Sequence, residues 1–370
     1  MKFFAVFKQI KIMKYLFIFL FLGITSSLSA QENFNPEKKI LELSGKSKNI
    51  GITAGYSING EIKWSESAGY NCSDKELDFS STTLTRIASI SKSFTAVAVM
   101  QLVEKNLIAL DSPIENYLTN LPSDKTQITV RQLLAHTSGI GHYLNNNKEG
   151  EVNEHYESLE QAINVFIDRP LLFESGTEYH YNSYGYVLLG RIIEIASKKN
   201  YKDYMKKNIF EIANMKNTEY ENISKEYSNK SCLYRNKRNK TKEIKGKDLS
   251  VTLPAGGFIS TSEDLLKFGN AILEEKLISK VSLNEMLEIQ PVEYKGTNEY
   301  GLGWFVYRKK KEDGQLLFGH SGSQIGCSSQ IMIAPDTKTV VVVLSNTEGT
   351  YADIGGYSLK LLEHSKLEKK

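Results

Sequence analysis

Ser89-Ile90-Ser91-Lys92 places a hydroxyl and an amine three residues apart at the start of a stretch that reads as a helix. The run that follows, Phe94 to Val103, carries no charge. A helix apolar on every face is a buried helix, so a lysine in its first turn is cut off from water and lies near the positive end of the helix dipole. Both effects disfavour the ammonium form. Positions three apart share a helix face, which lets the Lys92 amine reach the Ser89 hydroxyl. A serine with a base beside it is an activated nucleophile. Bringing a lysine from about 10.4 to near 7 takes roughly 3 pKa units, or about 4 kcal/mol, and burial supplies shifts of that size.

The elements that hold this pair are legible in outline. Ile50 to Ile58 and Glu61 to Ala68 are strand-like and flank Asn59-Gly60, a strong hairpin signal. A buried helix from Ser89 to about Lys105 comes next. From about 113 to 250 the pattern is mostly helical with long loops, Thr129 to His136 and Tyr184 to Ser197 being short helix candidates. Strand signals return in the last quarter. Gly303 to Arg308 and Gln315 to Gly319 flank Asp313-Gly314, and Ser328 to Ala334 and Thr339 to Ser345 flank Pro335-Asp336. A helix over about Asp353 to Glu363 ends the pattern. Strands from both chain ends and helices from the middle predict an α/β (α+β) fold: a mainly antiparallel sheet flanked by helices, with a helical domain inserted between its halves. The expected division is residues 31–112 with 250–365 for the discontinuous sheet domain and 113–249 for the helical one.

Further motifs lie in order along the chain: Arg86 to Ala96 around Ser89 and Lys92, Leu133-Leu134-Ala135-His136-Thr137-Ser138-Gly139, Tyr181-Asn182-Ser183, Ala255 to Thr261, Gly301-Leu302-Gly303-Trp304 and His320-Ser321-Gly322. Together they resemble the serine β-lactamase and penicillin-binding protein superfamily, most of all its class C β-lactamase, DD-peptidase and esterase branch, over about residues 40 to 350. The resemblance implies an acyl-enzyme on Ser89, with Lys92 taking or relaying its proton. It implies that Tyr181 shares general-base work and protonates the leaving group, its phenol pKa lowered by the neighbouring ammonium. It implies an oxyanion hole made by the N–H groups of Ser89 and Ser323, and a cleft-lining edge strand begun by His320, Ser321 and Gly322. Ser183 stands where the resemblance has an asparagine. A hydroxyl is shorter than a carboxamide and donates one hydrogen bond. It suits holding Lys92 better than gripping a substrate amide, and it shifts the expectation from β-lactams toward esters or unusual amides. The alternative is a non-catalytic penicillin-recognising or ligand-binding protein on the same fold.

Other chemistries find less support. Gly319-His320-Ser321-Gly322-Ser323 lacks the final glycine and following helix of a nucleophile elbow. His136, in its Thr-Ser-Gly context, reads as part of a structural turn. The histidines and the three cysteines (Cys72, Cys232, Cys327) have no metal-ligand spacing, so no metal and no cofactor are expected; the cysteines allow one disulfide or three free thiols. The formal net charge of +3 comes from four lysines in residues 1–30, which hold no acid, and the rest is about −1. No nucleic-acid partner is implied, and the basic run Arg235 to Lys242 reads as a solvated loop. Lys8, Lys11 and Lys14, the apolar run Tyr15 to Ile24 and the small residues up to Ala30 predict an export signal over 1–30. The expectation is a periplasmic or secreted monomer acting on a small-molecule, peptide or ester substrate.

Overall fold

The computed structural model describes residues 34–369, apart from 46–48, 75–76, 145–148, 151, 239, 293–298 and 309–314. The expected export signal and the Asp313-Gly314 turn lie outside the described residues. In chain order the elements are α1 (Pro36–Gly45), β1 (Gly51–Ile58), β2 (Glu61–Gly69), β3 (Thr85–Arg86), α2 (Ile90–Glu104), α3 (Val130–Leu134), α4 (Leu159–Ile163), α5 (Tyr184–Ser197), α6 (Tyr201–Met205), β4 (Glu219–Tyr220), β5 (Leu233–Lys237), β6 (Lys240–Ile244), α7 (Leu253–Gly256), β7 (Phe258–Ser260), α8 (Ser262–Leu273), α9 (Lys280–Met286), β8 (Phe305–Arg308), β9 (Leu316–Gln324), β10 (Cys327–Ala334), β11 (Thr339–Ser345), β12 (Thr347–Glu348) and α10 (Tyr351–Ser365).

The main sheet is antiparallel in the order β2-β1-β11-β10-β9-β8. It joins the two chain ends as expected, with Ile52 opposite Ser345. Helices cover both faces. On one, Gly55 brings its backbone against Leu266 of α8; on the other, the Tyr56 ring meets His364 of α10 at 6.4 Å. Coverage on both sides explains why β1, β10 and β11 are buried at every position, the polar side chains of β1 and β10 included. Helix α2 runs through the centre with Ile90 to Leu102 all buried. Its Phe94 meets Phe210, Phe258 and Phe268 edge-on at 4.5–5.8 Å, aromatic contacts that add to the stabilisation from area burial.

Residues 35–370 form one compact unit. Its middle stretch is less purely helical than the sequence pattern predicts. The basic run read as a solvated loop folds into the β5–β6 hairpin, anchored by buried Leu233 and Tyr234 and extended by β12 in parallel. Only the outward residues carry the charges, so their number hid the two apolar anchors. Of the three cysteines, Cys72 and Cys232 form a disulfide across 160 positions, and Cys327 is a buried thiol outside the bridge.

Denatured without reductant, the protein should therefore take up a single equivalent of iodoacetamide, on Cys327, and alkylate at all three cysteines after reduction. Mass spectrometry reads the difference; three equivalents without reductant would exclude the bridge.

Candidate active site

The chain enters the site along β3, which pairs with β7. Ala88 then adopts φ 48°, a left-handed conformation that costs a residue with a Cβ roughly 1 kcal/mol or more. That bend turns the backbone directly into α2. Gly322 of β9 presses on it from the sheet side: a Cβ there would lie 2.4 Å from the Ile87 carbonyl oxygen and 2.9 Å from the Ala88 Cβ. Only glycine lets the strand come so near the start of the helix. Ser89 occupies the N-cap position yet makes no side-chain capping bond, so helix capping does not account for the serine there. It is partly accessible, and its hydroxyl turns to Lys92 instead.

Lys92 is fully buried. Its Nζ lies 3.2 Å from Ser89 Oγ, 3.1 Å from Ser183 Oγ and 3.0 Å from the Ala255 carbonyl oxygen. Among the described residues no carboxylate pairs with it. Burial alone pulls its pKa from the usual lysine value down to about 7, the shift the sequence argument asked for. A neutral amine has two N–H groups and one lone pair. The Ala255 carbonyl can only accept and takes one N–H; the two hydroxyls share what is left, and with Ser183 accepting the second N–H the lone pair faces the Ser89 hydroxyl.

Tyr181 corrects an expectation. Its hydroxyl is hydrogen-bonded to Ser89, but burial pushes the phenol well above its usual pKa, and the bond to Ser89 offsets only part of that. The expected lowering by an ammonium fails because burial outweighs it, and the Lys92 Nζ stands over the ring, 4.9 Å from its centroid. Tyr181 is thus an O–H donor beside the nucleophile, with no phenolate to act as base. Its loop is fixed from behind. The Asn182 N–H donates to His136 Nδ1 at 3.3 Å, and Asn182 Oδ1 accepts from the Gly185 N–H at 2.8 Å, closing the first turn of α5. The His136 ring packs 4.3 Å from that of Tyr181. His136 is the structural histidine of a turn, as its context suggests, and burial holds its pKa well below the usual range.

The third motif lies in the middle of β9 and does not begin an edge strand. It still reaches an edge, because β8 pairs only with Leu316 to Gly319 and leaves the rest of β9 uncovered. His320 is buried. Its Nδ1–H donates to the Ser321 carbonyl at 2.6 Å, and its Nε2 accepts from the Tyr300 hydroxyl at 2.9 Å. Burial, with Lys92 nearby, drives its pKa down to about 3. His320 is therefore a neutral prop behind the cleft with both nitrogens engaged. Ser183, also buried, is committed to Lys92. Ser321 and Ser323 remain accessible. The β9–β10 turn has two residues, Ile325 and Gly326, which makes Gln324 and Cys327 the closing pair. Antiparallel pairs alternate between bonded and non-bonded, so the backbone groups of Ser323 and Ser321 point away from β10 toward the free edge. That orientation suits the N–H of Ser323 to an oxyanion hole. The N–H of Ser89 has no partner among the described residues.

The parts that sequence reasoning missed are Ala255, Tyr300 and Asn182. Ala255 and Asn182 lie in motifs the sequence shows, but their roles, through a backbone carbonyl and a turn, and the long-range pairing of Tyr300 are not announced by local residue pattern.

The arrangement, a nucleophile-poised serine with a neutral lysine on a helix-flanked antiparallel sheet, defines a site of the Ser-x-x-Lys acyl-transfer class. The family model described as Beta-lactamase matches residues 37–362, and the chain belongs to that family. Among curated proteins it is 27% identical to the human "Serine beta-lactamase-like protein LACTB, mitochondrial" over 78% of this chain and 70% of that protein. It is 28% identical to "Penicillin-binding protein 4*" of Bacillus subtilis, over 84% and 71%. Among solved structures, the octameric penicillin-binding protein homologue from Pyrococcus abyssi superposes with a TM-score of 0.77 at 29% identity, over 89% of this chain and 77% of that one.

The neutral lysine has a stability signature. Its folded pKa lies below the unfolded value of 10.5, so between about 7 and 10.5 the unfolded chain holds the extra proton and stability rises with pH. Below about 7 both states are protonated and the penalty is constant. The stability of wild type relative to Lys92→Met should therefore climb by several kcal/mol from pH 7 to 10, at about 1.4 kcal/mol per pKa unit. Denaturant melts across that range measure it; a flat difference would mean the amine is not desolvated.

Proposed function

We propose that this protein is an exported serine hydrolase that works through an acyl-enzyme on Ser89. The observation that carries the reading is the set of three contacts made by buried Lys92, which leaves its lone pair to Ser89. In acylation the Ser89 oxygen attacks the substrate carbonyl while its proton passes to Lys92. The N–H groups of Ser89 and Ser323 take the oxyanion charge, a contribution of about 2.7–4 kcal/mol per donor in comparable sites. The proton taken up by Lys92 then goes to the departing group, with the Tyr181 O–H as the donor that hands over its own proton and takes that one in its place. Water then attacks the ester with Lys92 again as base, and Ser89 is released. Ser183 and His320 position Lys92 and the Tyr300 layer. Among the proposed binding groups, Ser321, Gly322 and Ser323 offer the strand edge along which a substrate lies.

The substrate class follows from charge. His320 is neutral and buried, so the third motif offers no cation to an anionic substrate. This favours uncharged esters or small amides over β-lactams and peptides ending in a carboxylate. Export is supported by the Cys72–Cys232 disulfide, since such bridges persist mainly in oxidising compartments.

Incubation with a fluorophosphonate probe should add one phosphonyl group to the intact protein, at Ser89. Labelling should rise with pH through an apparent pKa of about 7, the range in which Lys92 loses its proton. Ser89→Ala should abolish it and Lys92→Met should slow it by at least about a thousandfold. No adduct in wild type, together with no burst from p-nitrophenyl acetate, would leave the non-catalytic binding reading in its place.

A further inference from the structure

Arg86 stands on β3, three residues before Ser89, and its side chain is fully buried. Its guanidinium meets three separate segments. Glu221 Oε2 lies 2.7 Å from both Nε and Nη2. Nη1 donates to the Ile325 carbonyl at 3.2 Å, and Nη2 donates to the Lys247 carbonyl at 2.9 Å. Glu221 is itself buried, and its carboxylate also pairs with Lys230. The Glu221 backbone N–H donates to the Gly257 carbonyl at 2.8 Å.

These partners adjoin the reacting groups. Ile325 opens the β9–β10 turn, two residues past Ser323. Gly257 lies two residues past Ala255, whose carbonyl holds Lys92. Arg86 itself leads through Ile87 and Ala88 to Ser89. The segments that carry the nucleophile, the second oxyanion donor and the lysine anchor thus meet behind the site at one ion pair. No ladder joins β3 to β9, since β3 pairs with β7, and β9 pairs with β8 and β10. Ser323 is held relative to Ser89 from two sides instead. Gly322 packs on Ile87 before it, and Arg86 grips Ile325 after it. A buried ion pair is weak ground for stability, because an apolar pair of similar volume is often neutral or stabilising in its place. An apolar pair lacks the planar fork, which fixes a carboxylate and two carbonyls in one geometry.

We propose that Arg86, held by Glu221, is a positioning residue for the oxyanion hole: by fixing the Ile325 carbonyl it sets the separation of the Ser323 N–H from the Ser89 N–H. This rests on the acyl-enzyme reading, with those two N–H groups as the donors.

Two variants of the full-length protein test it. Arg86→Lys keeps the charge without the fork. The double variant Arg86→Met/Glu221→Leu removes both charges together. Fluorophosphonate labelling counts the competent sites, and turnover of p-nitrophenyl acetate is then measured per labelled site. Acylation and deacylation both use the hole. In both variants kcat should therefore fall at least about tenfold while KM stays within about threefold, a donor misplaced by about 1 Å being enough for such a loss. Affinity for phenylboronic acid, whose tetrahedral adduct puts an oxygen in the hole, should fall in step with kcat. The pH midpoint near 7 should stay, because the Lys92 contacts are untouched. A loss of labelled sites alone, partial or complete, would make Arg86 merely structural and overturn the proposal, as would an unchanged kcat per site. A moved pH midpoint would also overturn it, by placing the effect on Lys92. Wild type that takes no label would refute the nucleophile instead.

Discussion

The site depends on a lysine buried without a counter-charge. A desolvated ammonium is costly unless paired, and among the described residues Lys92 has only neutral oxygens around it. The protein meets that cost by giving up the proton near neutral pH. Two of the amine's valences are then fixed by Ala255 and Ser183, and geometry directs the third at the nucleophile. The apolar helix α2, the aromatic layer around Phe94 and the tight passage of Gly322 all keep water from that amine. Catalytic competence and packing are thus one requirement here: loosening the core would rehydrate Lys92 and restore its ordinary basicity.

The same dryness neutralises the neighbours. Burial holds the phenols of Tyr181, Tyr186 and Tyr300 above their usual range and the imidazoles of His136, His142 and His320 below theirs. Lys92 is the group among them that changes charge near neutral pH. An ammonium–phenolate pair would require two charges to be desolvated together, and the shifts of both partners run against it. One mobile proton, shared among Ser89, Lys92 and Tyr181, is enough for acylation and deacylation alike.

What the sequence made legible was what local pattern encodes. The all-apolar run after Lys92 predicted a buried helix, Asn59-Gly60 predicted the β1–β2 hairpin, and Tyr184 to Ser197 is helical over that whole range. Strand signals at both ends predicted a sheet that joins them. The nucleophile and its base were legible because they sit one helical turn apart. Features set by distant partners were not. The extent of β9 was underestimated because His320 to Gln324 lacks apolar alternation and is held by its ladder to β10. The β5–β6 hairpin was hidden beneath its lysines. The neutrality of His320 follows from burial and then from the nearby Lys92, neither of which is visible in His-Ser-Gly. Tyr181 was misjudged because a lysine's presence was taken to mean a charge, although the burial that activates Lys92 is what removes it.

The serine at position 183 gains its meaning from this electrostatic setting. An asparagine there could satisfy Lys92 with its carbonyl and still offer an N–H to a substrate. Ser183 is buried, and its oxygen lies 3.1 Å from the amine, so it serves the lysine alone. The cleft consequently loses an amide at the nucleophile while His320 withholds a charge from the other wall. What remains for substrate recognition is the backbone of the free β9 edge. Backbone groups read shape and extension, not charge. A site built this way is suited to read an acyl donor by how far it extends along the strand.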